Sequence, residues 1–596
     1  MSVDVSTASL PIWRRYRFPR SMISLDPRSV AVYRIGLAFL LLCDLLYTRM
    51  WDITAHYTDL GVLPRDIYIE KFDRDQTISF HLMSGAAWFQ GILLSVQVAI
   101  ASLMLIGWRS RIMTALSWVM LISLHSRNPY VLQGGDVLFR LLFFWGMFLP
   151  MGAVWSVDAY LQNREQDTPS YPKDIVSGGT FALMLQTFIV YWSTMALKTG
   201  VEWWEAGTAV HYALHIDHFA TPLGVWLREQ QGLTAFLTQA TAVIEIAGPA
   251  LALLAGNTLL RALPILLMLG MHVSFGVTMK LGLFPWISIM TWLVLIPASA
   301  WDRVGLTLEK AALSKRFEMA VNGLDRLVSA FGFLLNKLKL LPKNTWGFRP
   351  RVRPIAFRSH PLANLIAVSL LFYVFFWNLD GIRGHYKTKV KKVYAQFEWF
   401  WSEVPSLRKV DLPGYGEADI RKLGYVLRLD QKWSMFAPRP MRGDGWFIVP
   451  GVFADGTTVD LQTGETLEWD KPEYVPGTYK NQRWRKYLVN IWMATFKRHR
   501  RHYGKYLCNK YNKVNKGGKR LDRLWIYYMI ERTNDTNDPD PVECRSLWST
   551  WCNARGKEMS DPPFVAKCKD IAKKGKAERK RLQELAASKG AQAKAN

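Results

Sequence analysis

The amino-acid sequence predicts an all-α polytopic membrane helix bundle of about nine transmembrane helices, with a smaller extramembrane α+β domain at the C-terminus. Nine segments are apolar and approach the length of about 20 residues that a helix needs to cross a bilayer. Charge concentrates after Ala300, so the mean hydropathy of +0.02 hides a strong segregation. The 26 Trp, 30 Phe and 23 Tyr exclude intrinsic disorder of the whole chain. Five Cys in 596 residues exclude a small scaffold held by disulfides.

The distribution of basic residues predicts how the helices are oriented. The N-terminal arm, the turn with Arg109 and Arg111, and the segment 301–361 are all basic and fall on one predicted side, the cytoplasm. The acidic loop after the first segment fits the opposite side, whereas the loop 156–179 departs from the rule. The apolar segments lie at 30–48, 89–107, 111–126, 137–154, 180–198, 234–255, 258–279, 283–300 and 362–379.

These segments divide the chain into six parts and predict an integral, multi-pass membrane protein with a cytoplasmic N-terminus and an external C-terminal domain. In a bacterium this membrane would be the plasma membrane. Within 301–361 the apolar residues recur at helical spacing, which fits an amphipathic helix on the inner leaflet or a helix packed on the bundle. The parts are a basic arm (1–29), a transmembrane bundle of about eight helices (30–300), a basic amphipathic segment (301–361), a ninth helix (362–379), an external α+β domain (380–568) and a Lys-rich tail (569–596).

The net charge of +27 permits two classes of partner, a lipid bilayer or a nucleic acid. The apolar segments favour the bilayer. The basic residues are scattered over both predicted sides of the membrane, and the sequence has no zinc-finger, RNP or P-loop pattern. We therefore expect lipid as a partner and no nucleic acid.

The external domain combines strand and helix patterns. Residues 430–470 are typical of strands, and Asp455-Gly456 between β-formers indicates a hairpin. Residues 482–532 read as helical, and the tail as a frayed helix or a disordered segment. An even number of external cysteines permits two disulfides, and the spacing of eight makes a Cys544–Cys552 loop feasible, although all four could be free. They are Cys508, Cys544, Cys552 and Cys568, and because no CxxC pair occurs we predict no metal.

Ionisable residues inside apolar segments are costly, so each is a candidate for function. Arg34 and Asp44 are ten helical residues apart, about 15 Å, so each needs a partner elsewhere. Asp136 and Arg140 are four apart and can meet on one helix face, which favours a structural role. For Glu245 and His272, in the sixth and seventh segments, an interhelical hydrogen bond and a role in binding a ligand both remain open.

Lys198 ends the fifth apolar segment and has two interpretations. A lysine at a helix end usually snorkels to the head groups. A lysine held in an apolar pocket instead loses its preference for the charged form and can act as a base. A polar and aromatic loop follows, and its three histidines and aspartate have no spacing that suits a metal. The loop contains Trp203, Trp204, Glu205, His211, His215, Asp217 and His218.

These residues resemble the bacterial HTTM domain, which is shared with vitamin K-dependent gamma-glutamyl carboxylase. The resemblance covers 28–300 well and 430–460 weakly. One departure is Ala153, where the carboxylase has a histidine. The matching runs are 32–36 (VYRIG) through Asp44 and Arg49, 57–65 (YTDLGVLPR), 127–129 (RNP), 134–136 (GGD), 155–158 (WSVD), 186–191 (QTFIVY) through Lys198, Trp203 with Glu205 and Gly207, His272 before Gly282 and Phe284, and 433–436 (WSMF).

The resemblance implies that Lys198 is the catalytic base that activates a reduced, vitamin K-like quinone. Oxygenation of that quinone then drives modification of a protein, peptide or small substrate. The residues that would surround the quinone are Trp203, Glu205, His211, Glu245 and His272.

Recognition of glutamate cannot be carried over from the carboxylase, so two further hypotheses stay open. The chain could be a non-enzymatic membrane factor for maturation or export of a partner protein, or for protection against a toxin, because other HTTM relatives act in toxin maturation. A transporter is less well supported, because no internal repeat or pair of broken helices occurs.

Overall fold

The computed structural model describes residues 20–72, 78–163, 170–172, 174–254, 258–312, 353–355, 357, 359–408, 410–412, 416–514, 519–533 and 541–595. Most of the predicted basic arm (1–29) and of the amphipathic segment (301–361) lies outside these residues. The part of the amphipathic segment that is described begins as a helix packed on the bundle. There the Trp301 indole donates to Ser29 Oγ at 2.7 Å.

Ten helices of ten or more residues build the described part of the membrane-type region and the segment that follows it. Asp26 caps the first, accepting from the Arg28 amide, and Pro27 occupies its first turn. Helix α1 then continues through a π-helical turn (Asp44–Arg49), a 3-10 turn and a short helix to Tyr57. The ten are α1 (Pro27–Cys43), α2 (Ala87–Ile106), α3 (Ser110–Arg127), α4 (Gly134–Gly146), α5 (Gly178–Leu197), α6 (Gln231–Leu254), α7 (Thr258–Thr278), α8 (Phe284–Leu293), α9 (Ala298–Ala312) and α10 (Pro361–Lys389).

The predicted count of nine spans is not confirmed. In the described part of the chain six helices are long and apolar enough to cross a membrane, or seven if the bent pair α8 and α9 forms one span. Helix α3 is less apolar, α4 has only 13 residues, and α8 and α9 meet at 93°. Helix α4 is almost wholly buried, so neighbouring helices rather than lipid surround it. The six are Pro27–Tyr57, Ala87–Ile106, Gly178–Leu197, Gln231–Leu254, Leu260–Thr278 and Pro361–Lys389.

The connecting loops collect at two ends of the bundle. At one end Arg28 pairs with Asp302 at 2.8 Å, and the Arg109 amide donates to Asp158 at 2.6 Å. At the other end lie the loops after α1, α3, α5 and α7, and the C-terminal domain docks there. One contact is very close: Gly282 has a left-handed φ of 69°, and a Cβ on it would meet Gln482 Oε1 at 1.2 Å. Glycine is therefore required where this loop meets the domain.

The C-terminal domain is an α+β unit, as the sequence predicts. Its antiparallel sheet has β4 at the centre, paired with β1 and β2 on one side and with β5 on the other. The predicted hairpin forms at Gly456, between β2 and β3. The strands are β1 (Gly443–Ile448), β2 (Pro450–Phe453), β3 (Thr458–Asp460), β4 (Leu521–Arg532) and β5 (Glu543–Trp551), and the main helices are α11 (Gln482–Trp492), α12 (Arg500–Val514) and α13 (Pro563–Ala595).

Three predictions about this domain are corrected. The helical interpretation of 482–532 holds only to Val514, because Leu521–Arg532 is the central strand and is buried on both faces, which removes the alternation typical of strands. The ninth helix runs on to Lys389 instead of ending at 379. The Lys-rich tail is helical, one of the two forms expected for it, but its helix α13 begins before residue 569, at Pro563, and continues to Ala595.

All four cysteines of the C-terminal domain form disulfides. Cys508 bonds Cys552, and Cys544 bonds Cys568. The Cys544–Cys552 loop is therefore wrong: the two cysteines belong to opposite ends of β5, which holds them apart. One disulfide fixes α12 to the end of β5, and the other fixes the start of β5 to α13.

Candidate functional site: a buried lysine in an apolar cavity

A cavity of about 120 Å³ lies between α5, α6 and α7, at the end of the bundle where the C-terminal domain docks. Its walls are almost entirely apolar. Four of the predicted site residues line it, namely Lys198, Trp203, Glu245 and His272. Met435 and Phe436, in the loop that leads into the C-terminal domain, complete the wall.

Lys198 caps the C-terminus of α5 and does not snorkel. Its side chain is only 3% exposed, and its ammonium nitrogen lies 2.7 Å from Glu245 Oε2 on α6. The same nitrogen lies 3.9 Å from the centre of the Trp203 ring, a cation–π contact. The Trp204 indole donates to the Lys198 carbonyl at 2.6 Å and so fixes the helix end. Lys198 is thus buried and held in place by Glu245, Trp203 and Trp204.

A second polar group in the cavity joins three helices. The Trp292 indole of α8 donates to the Tyr191 hydroxyl at 2.8 Å, and that hydroxyl lies 2.7 Å from His272 Nε2. Since the indole can only donate, the tyrosine proton is available for His272 Nε2 when that nitrogen is the unprotonated one. His272 Nδ1 is buried and has no hydrogen-bond partner in the described structure. His272, which lines the cavity, therefore has an unused ring nitrogen.

Two of the predicted pocket residues do not reach the cavity. The helix Val201–Trp204 has a single turn that directs Glu202 and Trp203 inward, which leaves Glu205 exposed. His211 stacks on His215, with ring centres 4.1 Å apart, while Ala209, Val210, Ala213 and Leu214 of the same helix face the cavity. In the described residues no group of three or more His, Cys, Asp or Glu side chains could hold a metal ion.

The intramembrane charges Asp44 and Asp136 belong to a second site, a closed cluster. The π-helical turn brings Arg49 back to Asp44, with 2.6 Å between Arg49 Nε and Asp44 Oδ2. Arg49 also bonds Asp136 at 3.0 Å. The fourth member is Arg483 of α11, which bonds Asp44 at 2.7 Å and Asp136 at 2.6 Å. Two carboxylates and two guanidiniums thus join the bundle to the C-terminal domain, and we call these four residues the charge cluster.

The two other arginines predicted to lie in the membrane, Arg34 and Arg140, bind backbone carbonyls. Arg34 donates to the carbonyls of Met151 and Trp155, so it has partners away from Asp44, as its position requires. Arg140 donates to the carbonyls of Arg428 and Asp430 and pairs with the Asp430 carboxylate at 3.0 Å. Asp136 and Arg140 therefore bind different partners and not each other.

Sequence reasoning misses the residues supplied from far along the chain. Arg483 lies 439 positions from Asp44 in the sequence. The residues that follow it (WRKY) are basic and aromatic, so the sequence gives no sign that Arg483 is buried. Tyr191, which is only part of a matching run, gives no separate signal. The Asn481 N-cap, which accepts from the Arg483 and Trp484 amides, is the one local sign that a helix begins there.

The apolar helices and the buried ionic groups define an integral membrane protein with a docked disulfide-bonded domain. Residues 23–301, slightly under half of the chain, match the HTTM domain, so the chain contains an HTTM domain. This confirms the resemblance drawn from the sequence, and the carboxylase-like motifs are consistent with it.

One relative is the sporulation-delaying protein SdpB of Bacillus subtilis (strain 168). The identity is 24% over 196 residues, which is 32% of this chain. The chain spans 56% of the length of that relative. No solved structure matches the chain.

Proposed function

We propose that this protein is a membrane-embedded, carboxylase-like enzyme in which Lys198 and Glu245 accept a proton from a reduced, vitamin K-like quinone in the apolar cavity. The carrying observation is the buried ion pair that faces this cavity at 2.7 Å. Most buried ion pairs are enclosed by further partners. This one has space beside it for a ligand.

The residues of the cavity fit a ligand that is apolar and carries oxygen atoms. Apolar walls suit a flat hydrocarbon ring, and the unpartnered Nδ1 of His272 suits a hydrogen bond with a ring oxygen or hydroxyl. A bound hydroquinone would supply an acidic hydroxyl and, with molecular oxygen, the oxidising chemistry. Lys198, His272 and Trp203 would hold it.

The chain's own residues account for the movement of the proton. Lys198 Nζ and Glu245 Oε2 are hydrogen-bonded at 2.7 Å, so a proton that either group takes from a ligand can pass along this bond to the other. The Trp203 ring then stabilises the ammonium that forms when Lys198 accepts a proton. The apolar walls exclude water, which strengthens each of these interactions.

Turnover by protein in lipid nanodiscs tests this role. Reduced vitamin K or ubiquinol is supplied with oxygen, and quinone epoxide is measured by mass spectrometry. We expect Lys198→Met to reduce the rate by about 10²- to 10⁴-fold, the usual contribution of a general base. The matched control is Lys389→Met, because Lys389 ends α10 and is exposed. No epoxide from folded wild-type protein, or equal rates in both variants, would contradict the proposal.

The similarity to a sporulation-delaying protein favours one alternative, a non-enzymatic factor for maturation, export or protection that acts through the C-terminal domain. That domain, with its two disulfides, would face an oxidising compartment outside the membrane. Under this alternative, cells that carry Lys198→Met should mature, export or resist the partner protein as well as cells with the wild-type protein do. Deletion of the domain is a poor test, because it would leave Asp44 and Asp136 buried with Arg49 alone.

A further inference from the structure

A second cleft, of about 470 Å³, separates the end of the bundle from the C-terminal domain and shares only Met279 and Leu281 with the Lys198 cavity. One wall comes from the membrane side, with Cys43 and Tyr47 of the first span and Gly276 of α7. The opposite wall is polar and comes from residues 476–485 of the domain. The cleft thus has an apolar and a polar half.

The position of the cleft is set by the length of the first span. Pro27–Tyr57 has 31 residues, about 46 Å as a helix, whereas the hydrocarbon core is about 30 Å thick. Tyr47 therefore lies near the level of the head groups if Pro27 lies at the other surface. Its side chain is 79% exposed, as expected for an interfacial aromatic residue.

The polar half is lined by Arg485, Lys280 and Lys480, and no acidic residue lines it in the described chain. Lys480 is neutralised by Asp52 at 2.6 Å. Arg485 is only 5% exposed and pairs with no carboxylate in the described residues. It donates to the carbonyls of Lys280 and His218 and lies 4.7 Å over the Phe219 ring.

Arg485 thus carries a buried positive charge that only dipoles and an aromatic ring stabilise. Burial lowers its pKa to about 10, which still leaves it charged at neutral pH. A buried guanidinium without an anion is unfavourable, and its planar fork matches a phosphate. The ligand that the polar half lacks is an anion.

We propose that this cleft binds the phosphate headgroup of an anionic phospholipid, with the phosphate at Arg485 and Lys280 and the acyl chains along the wall formed by Cys43, Tyr47 and Gly276. The lipid bridges the bundle and the domain beside the charge cluster. The site is independent of the proposed reaction at Lys198.

Native mass spectrometry of the full-length protein, released from detergent with phosphatidylglycerol or phosphatidylcholine, tests the site. We expect one retained phosphatidylglycerol, and at least a fivefold weaker apparent affinity in Arg485→Gln and Lys280→Gln. The control is Arg500→Gln, since Arg500 is also held by backbone carbonyls but lies away from the cleft. Equal retention in all variants, or equal retention of the two lipids, would overturn the proposal.

Two further arms identify the source of the anion. If glycerol phosphate raises Tm as much as phosphatidylglycerol does, the site takes a soluble phosphate and the lipid assignment is wrong. If a glutamate-rich peptide displaces phosphatidylglycerol, the cleft is a peptide site and the assignment is again wrong. If size-exclusion chromatography shows that Arg485→Gln does not fold, the affinity of Lys280→Gln for phosphatidylglycerol tests the proposal by itself, because Lys280 is exposed and its substitution should not disturb folding.

Discussion

The two buried ionic sites of this protein differ in how completely their charges are enclosed. In the charge cluster every carboxylate oxygen of Asp44 and Asp136 accepts a hydrogen bond, from Arg49, Arg483, Thr48 or the Gln133 amide. At Lys198 and Glu245 only one ion pair is formed, and Glu245 Oε1 has no protein partner in the described structure. Both sites are buried and both combine acid with base. Enclosure, and not burial, therefore separates a structural ion network from a site that can take a ligand.

The largest effect on stability should follow from opening the charge cluster. Arg483→Met removes one of two guanidiniums and leaves two carboxylates with Arg49 alone. Breaking a buried pair in this way costs about 3–5 kcal/mol, so we expect the C-terminal domain to undock. Limited proteolysis after α10 and the Tm of the purified protein measure this. The double variant Arg483→Met with Asp44→Asn should recover part of the loss. An unchanged Tm in Arg483→Met would show that the cluster does not join the two regions.

A third buried ionisable residue, His218, is neither enclosed by opposite charges nor part of an open ion pair, because it is uncharged in the folded protein. His218 is 1% exposed, neither ring nitrogen has a hydrogen-bond partner in the described structure, and burial lowers its pKa to about 3. Its neighbour Asp444, 3.9 Å away, offers no compensating charge, because burial and the nearby Asp217 raise the pKa of Asp444 well above its usual range.

The consequence is a pH dependence of stability with a definite sign. The unfolded chain binds a proton at His218 below about pH 6.5, whereas the folded chain does so only near pH 3. The stability that His218 contributes is therefore present above pH 6.5 and is lost as the pH falls toward 3, by about 1.4 kcal/mol per pH unit. The free energy of unfolding of the wild type should fall by about 2 kcal/mol between pH 6.5 and 5 because of His218, and His218→Phe should remove this part of the fall. The exposed His360 is the control: His360→Phe should leave the slope as it is.

The sequence predicts these sites unequally, and the reason is chain distance. The apolar segments, the HTTM resemblance and the cavity residues Lys198, Trp203, Glu245 and His272 follow from local patterns, because each lies in or beside a span. The pairing of Asp44 with Arg483 does not follow from local patterns, because Arg483 lies in the C-terminal domain. Strand β4 misleads for a different reason: it is buried on both faces, so its apolar residues do not alternate. Helix α4 misleads because protein, not lipid, surrounds it.

The smallest change in stability should come from removing a charge at the open site. Glu245→Gln has nearly the shape of the native side chain and leaves the Lys198 ammonium without a carboxylate, whereas Arg483→Met leaves two carboxylates with one guanidinium. Because the glutamine amide oxygen can still accept the hydrogen bond of the ammonium and the Trp203 ring lies 3.9 Å from it, we expect a loss of only about 1 kcal/mol. Turnover should nevertheless fall at least tenfold, since the proton can no longer pass to Glu245. Thermal unfolding and epoxide formation, measured on the same preparation, separate the two effects. A loss of stability as large as that of Arg483→Met would mean that the Lys198 pair is as closed as the charge cluster, and the distinction between the two sites would fail.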